Sequence, residues 1–312
     1  MRPRATTDRG FALVAVLLVL GLLGLIGAEF AYSMRLEATA ARSYKEAIAA
    51  AHLAEAAVEQ AVREIAADAP FVALDRDDIL TFYGRDGRAL PRLPRTGVAL
   101  GTMGTFSYRI TDEEARLNLN TSPPDRIDHL LQGLGLTKME RDTINDSLQD
   151  WRDANDEHRL NGAESDDYYL KLAVPYRAHN ANLESVTELL QIKGVTPEMY
   201  YGREGTRGLG DLVTVKTPGQ ININTASPEV LRAQGLSDAE IIDVVQTRRE
   251  IPFVATPGRF GGRGLNVTTR TFRIEAEGLV DGRPRVRLTA IVQRRADNTR
   301  QPIAVLEWSG LR

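Results

Sequence analysis

The sequence of 312 residues contains no cysteine, which excludes disulfides, thiolate metal sites and a cysteine nucleophile. Its only histidines are His52, His129, His158 and His179, and no two of them fall at the spacing of a zinc centre. Neither a P-loop nor a nucleophile elbow is present, so no enzymatic activity is expected. The net charge of −3 gives the molecule as a whole no attraction for nucleic acid. Proline is missing from Phe11 to Ala69, with Pro3 and Pro70 bracketing the gap.

That proline-free run opens on a second absence. From Phe11 to Ala28 there is no charge at all. At roughly 1.5 Å per residue the stretch spans about 27 Å as a helix, close to the thickness of a bilayer's hydrocarbon core. Arg2, Arg4 and Arg9 precede it, opposed only by Asp8, so the short N-terminus is expected in the cytoplasm and the remainder outside it. Alanine, leucine and glutamate then carry a helical pattern to Ala69. Ile48, Ala51, Ala54, Val58, Val62 and Ile65 form an apolar stripe, with Lys45, Glu46, Glu55, Glu59, Arg63 and Glu64 expected on the polar face. One long helix is therefore expected to start in the membrane and end against a folded domain.

The C-terminal part reads as strands. Phe272, Ile274 and Ala276 alternate with charged residues, Asp281-Gly282 marks a tight turn, and Val286, Leu288, Ala290 and Val292 alternate again. Pro302–Trp308 supplies a third strand, and Gly104–Ile110 another further upstream. An antiparallel sheet with one face covered by the long helix is expected.

The middle is helical and echoes itself. "RLNLNTSPPD" (Arg116–Asp125) returns as "QININTASPE" (Gln220–Glu229), each leading into a helix start, at Ser122-Pro123 and Ser227-Pro228. Capping boxes are expected at Thr137/Glu140, Ser185/Glu188 and Ser237/Glu240. Helix pairs hinged at Gly194 and Gly235 resemble helix-hairpin-helix modules, which bind DNA phosphates at a Gly-x-Gly turn. The second glycine is missing at both hinges, and only Lys193, Arg232, Arg248 and Arg249 lie nearby. An acidic segment, Asp150–Tyr169, gathers Asp150, Asp153, Asp156, Glu157, Glu164, Asp166 and Asp167. Such a loop is either fully solvated or holds a hard cation such as calcium.

Two sets of residues carry a family resemblance. Gly10-Phe11 at the leader boundary resembles the processing site of type IV pilins and type II secretion pseudopilins. "DEEARLNLNT", "DWRDANDEHRLNGAESDDYYL", "PYRAHNANLESVTELLQIKGVTPEMY", "ININTASPEVL" and "TFRIEAEG" resemble, in order, the minor pseudopilin K family of type II secretion systems. The resemblance implies an α+β, pilin-like fold: a long N-terminal helix on an antiparallel sheet, with a large inserted helical domain of two SAM-like or helix-hairpin-helix-like halves. It divides the chain into a leader cleaved by prepilin peptidase (1–10), a membrane and stalk helix (11–70), a discontinuous αβ domain (71–112 and 265–312) and the insert (113–264).

It further implies methylation of Phe11 and residence in the bacterial inner membrane, with the bulk of the chain in the periplasm. The implied partners are the major pseudopilin and minor pseudopilins I and J, with no nucleic acid. Most pilins carry glutamate at the fifth mature residue, where this chain has Ala15; a tip subunit has no neighbour above it to pair that charge. Calcium is implied in the insert, with Asp153, Asn155, Glu157, Glu164 and Asp167 as ligands. The alternative reading is a membrane-anchored helix-hairpin-helix DNA receptor of an uptake system.

Overall fold

The computed structural model describes residues 8–67, 69–203, 205–295 and 302–310. Arg2 and Arg4 of the expected leader lie outside them. The chain opens with α1 (Asp8–Ile65), followed by β1 (Phe71–Leu74), β2 (Leu80–Tyr83), β3 (Val98–Ala99) and β4 (Thr105–Asp112). The insert then carries β5 (Leu117–Asn118), α2 (Pro124–Gly133), α3 (Lys138–Arg152), α4 (Pro197–Tyr201), α5 (Leu209–Leu212) and β6 (Val213–Thr214). It continues with β7 (Ile221–Asn222), α6 (Pro228–Ala233), α7 (Asp238–Glu250) and β8 (Leu265–Asn266). β9 (Thr271–Val280), β10 (Arg283–Arg294) and β11 (Ile303–Ser309) close the fold.

α1 is 58 residues long, about 87 Å of helix at 1.5 Å per residue. Among the described residues it is the one helix long and apolar enough to cross a membrane. Its last four turns lie on a five-stranded antiparallel sheet of order β11-β10-β9-β4-β3. The β9–β10 turn is the expected Asp281-Gly282, both residues with positive φ, which matches the twist of the flanking strands.

The buried row on α1 is Ala50, Leu53, Ala54, Ala57, Val58, Ala61 and Ile65. This corrects the expected stripe, which shares only Ala54, Val58 and Ile65 with it. Ile48 is 42% exposed, and Ala51 and Val62 are half-buried. Helix and sheet approach so closely that alanines fit where larger side chains do not. A Cβ at Gly278 on β9 would overlap the Ala50 carbonyl, and one at Gly104 would overlap the Leu279 carbonyl. Glu64 also departs from its expected place on the polar face. It is buried, bonded to Arg95 (2.7 and 3.1 Å) and to the Tyr108 hydroxyl (3.0 Å). Burial pushes that phenol up to about 12.

The insert consists of two related halves, as the echo predicts. β5 pairs in parallel with β6, and β7 with β8. In each half the first asparagine caps the second: Asn120 N–H donates to Asn118 Oδ1 (2.7 Å), and Asn224 N–H to Asn222 Oδ1 (3.0 Å). The second asparagine then grips a distant backbone through both its donor and its acceptor. Asn120 holds Leu183 and Asn224 holds Phe253. Arg152 donates to the Leu119 carbonyl, and Arg248 to the Ile223 carbonyl.

The hinge corresponding to Gly235 is Gly135 rather than Gly194. Both have φ near +80°, at +81° and +85°, and both are followed by a capping box, Thr137/Glu140 and Ser237/Glu240. The first half therefore does contain a Gly-x-Gly turn, Gly133-Leu134-Gly135, which the sequence reading passed over. The Ser185 box is present, but it opens a 3₁₀ turn rather than an α-helix. Pro123, not Ser122, caps α2, because Pro124 already occupies its first helical position. β8 belongs with the insert through β7, so the sheet resumes at Thr271 rather than at residue 265.

Candidate functional site

Two polar clusters stand out. The first joins the insert to the sheet. Asp112, Glu113 and Glu114, three consecutive acids at the end of β4, are all buried. One Asp112 oxygen accepts from Glu114 N–H (2.8 Å) and the Thr269 hydroxyl (2.6 Å). The other accepts from Asn222 Nδ2 (2.9 Å) and the Thr225 hydroxyl (2.5 Å). Burial pushes Asp112 up to about 7, against the pull of Thr225, Thr269 and Asn222.

Glu113 accepts a fork from Arg273 (2.9 Å twice), the Thr214 hydroxyl (2.7 Å) and Arg116. Burial alone would raise it, but Arg116 and Arg273 hold it below the usual carboxylate range. Glu114 accepts from the Arg270 and Thr271 amides (3.0 and 3.1 Å). The acids thus bond to both halves of the insert and to β9, which fixes the insert on the sheet.

The second cluster is the acidic loop, built against a group of aromatic residues. Trp151 and Tyr169 meet edge-on at 5.2 Å, with Tyr176 and Tyr168 packed on Tyr169. Trp151 Nε1 donates to Glu188 (3.2 Å), which also pairs with His179 (3.0 Å). Asp150, fully buried, is a structural pin. It accepts from Arg159 and from Ala163 N–H (2.9 Å). Gly162 is needed because a Cβ there would overlap its carboxylate.

The five expected ligands separate into two groups. Asp153 accepts from Asn155 Nδ2 (2.8 Å) and Arg159 Nη1 (2.7 Å), and Asn155 Oδ1 accepts from Glu157 N–H (2.8 Å). The Glu157 side chain is exposed. Asp167 caps the backbone N–H of Glu164 (2.9 Å). Among the described residues no three acidic or histidine side chains converge as a ready-made metal site.

Glu164 is nevertheless unusual. It is 2% exposed, and neither of its side-chain oxygens has a hydrogen-bond partner. Burial pushes it up to about 7; Asp150, Asp153 and Asp156 repel its charge further, and the Ser165 amide opposes this only in part, from outside hydrogen-bonding geometry. Asn180, with left-handed φ of +49°, donates to Asp156 (3.0 Å) and leaves its buried Oδ1 unpartnered. These oxygens are hard donors without protein partners, and they fit calcium. Asn180 and Asp156 were not among the five expected ligands.

Arg248 is buried on backbone carbonyls, Arg232 pairs with Asp238, Arg249 with Asp78, and Lys193 donates to the Asn161 and Gly162 carbonyls. All four cations near the expected hinges are engaged within the fold.

Residues 110–202 match the family model described as type II secretion system (T2SS), protein K. Type II secretion system protein K of Pseudomonas aeruginosa is 28% identical over 224 residues, covering 65% of each chain. That of Pectobacterium carotovorum subsp. carotovorum is 34% identical over 89 residues, 28% of this chain and 27% of the relative. The putative protein K of Escherichia coli K12 is 26% identical over 206 residues, 62% and 60% of the two chains. The matched stretch is thus less than two thirds of each relative's length. A solved chain of the GspK-GspI-GspJ complex from the enterotoxigenic Escherichia coli Type 2 Secretion System has the same fold. It is 20% identical at a TM-score of 0.53, over 70% of this chain and 83% of that one. On a pilin-type helix and sheet with paired insert halves, the chain is thus similar to type II secretion system protein K, by the family model over residues 110–202 and by the relatives matched over 62–65% of its length.

Proposed function

We propose that the chain is a minor pseudopilin that caps the tip of a periplasmic type II secretion pseudopilus and helps initiate its assembly. The observation that carries this reading is the insert. It is at least as large as the sheet domain, and buried acids fasten it to the end of β4. A body of that size, rigidly attached, does not repeat along a tight helical fibre but fits at one end. Ala15 agrees, since a terminal subunit needs no glutamate to pair with a subunit above it. The role is structural rather than enzymatic.

The apolar part of α1 holds the subunit in the inner membrane as a single pass and then packs in the filament. Prepilin peptidase cuts after Gly10, and Phe11 becomes the methylated N-terminus. Minor pseudopilins I and J are the immediate neighbours, with the major pseudopilin below them; the related solved chain was itself crystallised as a complex with GspI and GspJ. In cells that contain the peptidase, mass spectrometry is expected to find a mature chain beginning at Phe11. A Gly10→Val variant is expected to remain full length and to lose secretion. A variant that still matures and secretes normally removes the pilin reading.

Calcium completes this picture as a structural cation in the acidic loop. Glu164 and Asn180 would hold it through their unpartnered oxygens, with Asp153 and Asp156 close by. Bound there, it would neutralise the buried Glu164 and tie the segments around residues 153–156, 164 and 180 together. Of the five expected ligands, Glu164 has the strongest support. Asn155 and Asp167 already spend a side-chain oxygen on backbone amides.

A further inference from the structure

Between the sheet and the insert lies a cleft of about 810 Å³, within the range of ligand-binding clefts. β4 contributes Tyr108 to Asp112, the β1–β2 turn contributes Asp77 to Leu80, and α5, α6 and α7 of the insert line the rest. Two features of this cleft have no partner in the fold. The first is an open strand edge. β3 pairs with β4 only at Thr105 and Phe106. Further along, the Tyr108 N–H donates to the Arg95 carbonyl (2.8 Å), on the side away from β9. Backbone groups alternate sides along a strand with a period of two, so those of Ile110 point the same way. There the Ile110 N–H and C=O have no partner among the described residues, although Ile110 is only 2% exposed. Backbone groups within a fold are nearly always paired.

The second is a group of cations on the insert side. Burial, with the charges of Arg249 and Arg207, pushes Arg248 down to about 10, and Asp78 offsets them only in part. Asp78 is itself already paired with Arg249 (3.4 Å). Arg207 is exposed and forms no hydrogen bond or ion pair among the described residues. Asp77 and Asp211 also line the cleft, but both are exposed and neither acts on Arg248. The positive excess is therefore local to the three arginines. An extended peptide answers both features. Only extended backbone presents donors and acceptors at the spacing of a strand edge. A carboxylate is the group on a polypeptide that matches clustered guanidiniums.

We infer that this cleft binds an extended, acidic segment of another polypeptide, which adds a strand to β4 at Ile110 and sets an aspartate or glutamate carboxylate against Arg207, Arg248 and Arg249. That role lies outside the pseudopilin reading, since neither the membrane helix nor the filament enters it. The main-chain pairing holds the segment, and the arginines select for its charge.

The full-length, detergent-solubilised chain is screened against peptides of about six residues, with varied flanks around a central glutamate, glutamine or lysine. The best glutamate peptide is expected to bind at least about tenfold more tightly than its glutamine counterpart. It is expected to slow hydrogen exchange at the Ile110 amide by a similar factor. The same peptide with N-methylated backbone amides is expected not to bind. Arg207→Gln, at an exposed side chain without partners, is expected to keep the parent's melting temperature and to lose the preference for glutamate. Equal binding of the glutamate and glutamine peptides, or an unchanged preference in Arg207→Gln, overturns the carboxylate site. An Ile110 amide that exchanges as fast with peptide as without overturns the strand pairing. Displacement of the peptide by an equal concentration of acetate reduces the cleft to a site for small anions and overturns the peptide. No binding of any peptide at millimolar concentration overturns the whole proposal.

Discussion

Gly278→Val is expected to detach α1 from its sheet and to cost at least about 3 kcal/mol of stability. The new side chain would have to occupy the space of the Ala50 carbonyl, a backbone atom in the middle of a helix. No rotamer relieves that overlap, because even the Cβ is too close. Gly278→Ala is therefore expected to be damaging as well, which would be surprising at an ordinary strand position. Gly21→Ala is the control, since nothing stands within 4 Å of a Cβ there. Thermal melting of the detergent-solubilised chain reads all three. A Gly278→Ala protein that melts like the parent would mean that α1 does not sit on β9 as described.

Calcium is expected to raise the melting temperature by several degrees at millimolar concentration. A site filled to one hundred times its dissociation constant contributes about 2.7 kcal/mol. Glu164→Gln is expected to abolish that response and, without calcium, to reverse in sign. The Glu164 carboxyl is pushed up to about 7 in the fold, above its unfolded value. Its folded state therefore binds the extra proton between these values, so stability is fully present at low pH and falls as pH rises towards 7. Above pH 7 the calcium-free parent carries a buried charge that glutamine removes. The variant is then expected to be more stable by about 1–2 kcal/mol, allowing for solvent around the loop. Below about pH 4.5 the two should converge. A variant that keeps the calcium response would place the cation elsewhere in the loop.

The sequence made the large periodicities legible. The proline-free helix, the alternating strands, the Asp281-Gly282 turn and the echo of Asn118–Thr121 in Asn222–Thr225 all appear in the fold where they were expected. These features follow from local rules, a repeat of 3.6 or 2 or a turn residue with positive φ. What was not legible depends on contacts distant in sequence. The alanine row on α1 looks bland until Gly278 brings the sheet against it. Glu64 reads as a surface charge until Arg95 and Tyr108 arrive from 31 and 44 residues away. Asp112, Glu113 and Glu114 read as part of a motif, and only the partners at Asn222, Thr225, Thr269 and Arg273 show why three adjacent acids are buried. In the acidic loop, composition pointed to the segment, and Glu164 was among the expected ligands. The unpartnered buried oxygen of Asn180 could not be found from the acids alone, because it lies in the following "PYRAHN" stretch.

The central claim is that this chain is a one-copy end subunit rather than a repeating one. The most direct measurement is the composition of the complex it forms in the membrane. The full-length, processed chain is captured through a C-terminal tag from cells that also express the other pilin-like subunits, and the complex is weighed by native mass spectrometry. The account predicts one copy of this chain with one each of minor pseudopilins I and J. Several copies of this chain in one filament, or a mature chain that captures neither neighbour, would contradict it.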